Sequence, residues 1–141
     1  MESLFSGDLN AFASPGTSHT ELSSSKYALI DRSLNKLKTH LHILIHTPEE
    51  VLDYLIRYQD IFSLVLYGCN LAYWHFRDRA QLTLEVRNYH TRYEYIALYV
   101  RQESYDPDLL KQIDQICGVF EQEFKTKNGW FIITTDFCSL R

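Results

Sequence analysis

Glycine, proline and cysteine are scarce, at five, three and three residues in a chain of 141. The glycines stand singly at positions 7, 16, 68, 118 and 129. Phosphate-cradling loops and dinucleotide fingerprints need clustered glycines so that the backbone can approach the ligand, and neither pattern is present. There is no GxSxG nucleophile elbow. Cys69, Cys117 and Cys138 form an odd, widely spaced set without a CxxC pair. That excludes a disulfide framework and a zinc knuckle, and it reads as reduced thiols in a cytoplasmic protein. No lysine or arginine precedes Lys26 and no long apolar run lies before it, so no secretory leader is expected. The most apolar stretch, Phe62 to Phe76, is interrupted by Ser63, Gly68, Asn70 and His75 and falls short of the roughly 20 residues a membrane span needs. Cys138 is fourth from the end, but the closing Arg141 does not suit a prenylation signal. Bases are outnumbered by acids, 14 to 18, for a net charge of −4. That balance argues against a mainly electrostatic nucleic-acid binder.

What the chain does contain is apolar and aromatic material: 45% hydrophobic and 14% aromatic residues, with ten tyrosines and eight phenylalanines. This suffices for one folded domain. Residues 1–25 differ from the rest, with seven serines and no charge besides Glu2, Asp8 and Glu21. Such a composition does not repay the entropy of ordering, so a disordered acidic tail is expected over 1–25, followed by a single domain over 26–141. The tail's apolar clusters, Leu4-Phe5 and Leu9 to Phe12, have the character of a short docking motif.

Leu29, Leu34, Leu37, Leu41 and Leu44 recur at helical spacing and predict a helix over 26–45. Thr47-Pro48-Glu49-Glu50 is a strong helix start: a capping side chain, a proline at the first turn and acids at the positive end of the dipole. The stripe Val51, Leu55, Tyr58, Phe62, Val65, Cys69, Ala72 and Phe76 favours one long helix to about Arg77. Two strands, Leu64 to Tyr67 and Leu71 to Phe76, turning at Gly68-Cys69-Asn70, are the alternative. Leu82, Leu84 and Val86, then Ile96, Leu98 and Val100, alternate with polar or aromatic residues and predict an antiparallel hairpin. Asp106-Pro107-Asp108 opens a helix with the stripe Leu109, Ile113, Ile116, Phe120 and Phe124, and Asn128-Gly129 supplies a left-handed stop. Trp130 to Phe137 is the last strand. The expected fold is α+β, in the order α-α-β-β-α-β: a small antiparallel sheet of three or more strands, packed on one face by helices.

Few residues here point to chemistry. His42 and His46, four apart on the end of the first predicted helix, share a face, but two histidines without further ligands do not make a metal site. No metal or other cofactor is implied. Cys69 and Cys117 fall on or beside apolar stripes and read as core. Glu85 and Arg87, with Asp78 or Asp60 upstream, weakly match the acid-plus-cation spacing of metal-dependent nucleases. A ligand sensor with a pocket around Trp74 and Trp130 is a third reading. The most informative pattern lies on the hairpin. Tyr93, Tyr95, Tyr99 and Arg101 share one face of the second strand, opposite Thr83, Glu85 and Arg87 on the first. Tyrosine and arginine combine apolar area with polar tips and are enriched in protein interfaces. The leading expectation is therefore a non-catalytic protein-protein interaction module, a regulatory, adaptor or chaperone-like subunit. Its contact residues would be Tyr93, Tyr95, Tyr99, Arg87 and Arg101. The partner is another protein or a second copy in a homodimer, and a membrane or nucleic-acid partner is not expected.

Overall fold

A computed structural model of the protein describes residues 19–89 and 93–140. Helix α1 (His19–His40) is followed by α2 (Pro48–Arg57), α3 (Phe62–Phe76), strands β1 (Gln81–Tyr89) and β2 (Tyr93–Arg101), α4 (Leu109–Cys117) and β3 (Phe131–Thr134). Short 3-10 turns occupy Gln59–Ile61, Arg77–Arg79 and Glu121–Thr126. The α+β class and the expected sequence of helical and strand regions hold. Of the segment 1–25, residues 1–18 and the apolar clusters at 4–12 lie outside the described residues, and the helical backbone begins at His19 rather than Lys26.

The sheet has the order β1-β2-β3. β1 and β2 pair antiparallel from Gln81↔Arg101 to Tyr89↔Tyr93, the register that the alternation implies. β3 runs parallel to β2, from Ile96↔Phe131 to Tyr99↔Thr134. The sheet is therefore mixed rather than wholly antiparallel. The cause is the connection between Arg101 and Phe131. It carries α4 and the 3-10 segment Glu121–Thr126, so the chain crosses back to the end from which β2 began before β3 starts.

The long stripe over 47–77 is helical, which settles 62–76 as α3 rather than two strands, but it is broken once. Tyr58 leaves helical geometry, at φ −123° and ψ 62°. Two side chains fix the break: Gln59 Nε2 donates to the Ile56 carbonyl, and the Asp60 carboxylate accepts the backbone N–H groups of Asn128 and Gly129. The first helix stops at His40. His42 adopts a φ of 55°, and Leu44 then pairs in parallel with β1, donating its N–H to Leu82 and accepting from Leu84, both at 2.9 Å. His42 and His46 are thus off the helix, and the shared helical face expected for them does not form.

α2 packs on β1, α3 and α4 pack on β3, and α1 packs on α2. Leu82, Leu84, Ile96, Leu98, Val100, Phe131 and Ile133 enter one core with Val51, Leu55, Val65, Cys69, Ala72, Ile113 and Phe120. Gly129 sits in this packing for lack of a side chain rather than for a left-handed backbone. A Cβ there would fall 2.8 Å from Tyr58 Cβ and Ile61 Cγ1. The stripe expected through Phe124 is split in the same region. α4 ends at Cys117, and Phe124 reaches the core from the 3-10 segment.

Candidate functional site

In the antiparallel register, Thr83 faces Tyr99, Glu85 faces Ala97 and Arg87 faces Tyr95. Side chains alternate across a strand, so these residues, with Tyr93 and Arg101, share the sheet face opposite the core. The parallel register adds Ile132 beside Ala97 and Thr134 beside Tyr99. Ala97 and Tyr99 are buried but do not belong to the hydrophobic core cluster.

The expected contact residues separate into two depths. Tyr93 is 67% exposed, Arg87 is exposed and Tyr95 is half-buried. Tyr99 is buried, and Arg101 is the bulkiest of the fully buried side chains, at 1% exposure. A cation so placed must be paired and hydrogen-bonded. Asp136 meets that need: Arg101 Nε and Nη2 donate to its two carboxylate oxygens at 3.1 and 2.8 Å. Glu85 stands 3.7 Å from the same Nη2, and the Arg101 Cζ lies 4.8 Å from the Tyr99 ring centroid. Hydrogen bonding to Arg101 holds the Asp136 carboxyl well below the usual carboxylate range. Burial is the first cause pushing the Tyr99 hydroxyl up, with Arg87 opposing it. Two buried polar atoms of this face, Arg101 Nη1 and Thr83 Oγ1, have no hydrogen-bond partner among the described residues.

Asp136 carried no signal in the sequence, because it lies 35 residues from Arg101. It becomes Arg101's neighbour by continuing the β3 register two residues beyond the Tyr99↔Thr134 pair. The chain then turns. Asp136 Oδ1 accepts the Cys138 N–H at 3.1 Å, and Phe137 has a φ of 55°. The Tyr105 hydroxyl donates to the Cys138 carbonyl, and the Tyr105 and Phe137 rings lie 5.1 Å apart.

The other candidates are scattered. Glu85 is ion-paired with Arg87 at 3.5 Å as well as facing Arg101, while Asp60 caps the backbone at 128–129. Among the described residues no group of three or more His, Cys, Asp or Glu side chains is arranged to hold a metal. Trp74 lies under Arg77, whose Cζ is 3.8 Å from its ring centroid, whereas Trp130 packs against Phe124. A cavity of about 570 Å³ between the ends of α1 and α3 and the start of β1 is lined by Leu41, His42, Tyr73, Arg77, Asp78 and Leu82, among others, and by neither tryptophan. Cys69 is fully buried, Cys117 is half-buried with its Sγ 3.7 Å from the Ile133 carbonyl, and Cys138 is exposed. No helix of the described residues is long and apolar enough to cross a membrane. No protein-family model matches the chain, and no curated protein or solved structure matches it.

Proposed function

We propose that the protein is a non-catalytic interaction module that binds a protein partner through the sheet face opposite its core. The observation that carries this reading is the two-level arrangement of that face. Tyr93, Tyr95 and Arg87 stand at the surface above a layer in which Arg101, Asp136, Glu85 and Tyr99 are already engaged with one another. Aromatic anchors on a sheet lose little conformational entropy on binding, and Arg87 adds charge at their edge. Tyr99 and Arg101 then act as support beneath the contact surface rather than as contacts.

The partner favoured is a second copy of the chain. Arg87 beside Glu85 gives the face both signs of charge, which suits a two-fold interface. Light scattering coupled to size exclusion tests this. Wild type is expected at about twice the chain mass of 16.7 kDa, and the combined Tyr93→Ala and Tyr95→Ala variant at the monomer mass. A dimer that survives both substitutions with its folding intact would move the interface elsewhere. A monomeric wild type would remove self-association.

A further inference from the structure

From the way residues 135–140 are held, we infer that this segment is a displaceable occupant of the sheet, and that the seat beneath it takes a short peptide carrying an acidic residue followed by an aromatic one. The inference deepens the interaction reading above and rests on it. Beyond Thr134 the segment has no ladder pairing with β2. Its ties are side-chain ties: Asp136 to Arg101, and Phe137 and the Cys138 carbonyl to Tyr105. Phe137 has a left-handed backbone that a side-chain-bearing residue rarely adopts, and it is 53% exposed.

The seat dictates the chemistry of what replaces the segment. The Arg101 guanidinium is buried, and a buried cation without a counter-charge is strongly unfavourable. An incoming segment must therefore bring a carboxylate to Arg101 Nε and Nη2. Arg101 Nη1 and Thr83 Oγ1 are further polar atoms of the same face with no hydrogen-bond partner among the described residues. Tyr105, which contacts Phe137, supplies the aromatic neighbour. The segment's own sequence, Thr135-Asp136-Phe137, is the pattern that satisfies both. Its tethering gives it a high effective concentration, so an external peptide competes poorly until the ties are weakened.

The test uses the full chain and a fluorescein-labelled peptide copying residues 134–140 with Cys138→Ser. Fluorescence anisotropy is expected to show at least tenfold tighter binding to the Asp136→Ala plus Phe137→Ala variant than to wild type. A peptide carrying Asp136→Asn is expected to lose at least tenfold. Equal binding by wild type and the folded variant, or equal binding of the two peptides, overturns the inference. Should that variant not fold, Phe137→Ala alone keeps both the Arg101–Asp136 pair and Tyr105 in the seat. It is expected to bind the peptide at least threefold more tightly than wild type, and binding unchanged from wild type overturns the inference. Failure here, with self-association still abolished by the Tyr93 and Tyr95 substitutions, discards the displaceable segment alone.

Discussion

Replacing Tyr54 by phenylalanine removes one oxygen from a point where three elements meet. Tyr54 lies on α2 and is 1% exposed. Its hydroxyl donates to the Glu94 carbonyl of β2 at 3.0 Å and accepts the Trp130 N–H, just before β3, at 3.1 Å. Phenylalanine keeps the ring, and with it the Tyr58 contact at 4.6 Å and the Arg57 cation at 5.6 Å. The change is therefore confined to two hydrogen bonds. Each contributes about 1 kcal/mol net, and leaving a buried donor unpaired adds up to about 1 kcal/mol or more. The expected loss is about 2–3 kcal/mol, which for a domain of this size is roughly 6–15 °C in Tm. Urea unfolding followed by tryptophan fluorescence measures the loss, with the m-value unchanged because the same surface is exposed on unfolding. Hydrogen exchange at the Trp130 amide should quicken in the same variant. A loss below about 0.5 kcal/mol, with Trp130 exchange unaltered, would refute the argument that this hydroxyl ties α2 to both strands.

The remaining expectations concern packing, charge and thiols. Gly68→Ala sets a Cβ 2.5 Å from the Phe131 ring, so it should cost about 1–3 kcal/mol by overpacking, and an unchanged Tm would show that the ring yields freely. The depressed Asp136 carboxyl stabilises the fold at pH values above its unfolded value of about 3.9, and that contribution is lost as pH falls toward its lower folded value. Stability of Asp136→Asn should therefore fall less between about pH 4 and 2 than that of wild type, and parallel acid limbs would contradict the pairing. Native protein should expose one fast thiol, Cys138, to an aromatic disulfide reagent. Cys69, fully buried and with its thiol pushed up by desolvation, should react only on unfolding, so its rapid modification in the native state would count against the core assignment.

What could be read from the sequence depended on how local its cause was. The hairpin was legible because alternation is decided within each strand, and its register follows from which face is apolar. The tyrosine and arginine pattern on the opposite face was legible for the same reason. The depth of Tyr99 and Arg101 was not, because the charge that allows Arg101 to be buried comes from Asp136. The break between α2 and α3 was hidden in a continuous apolar stripe, since its cause includes Asp60 holding the backbone at 128–129. The direction of β3 was hidden as well: apolar alternation says that a strand forms but not which way it runs beside its neighbour.

The pairing of Leu44 with Thr83 gives the sheet a short fourth rung and has a consequence for how the molecule assembles. The two long strands are only three residues apart in sequence, whereas the Leu44 and Phe131 pairings each close a long loop that carries helices. Loop closure must precede the contacts that reward it, so these outer rungs form after the hairpin. Weakening Leu44 or β3 should then act mainly on the unfolding arm of the denaturant–rate plot, while weakening the β1–β2 pairs should slow folding itself.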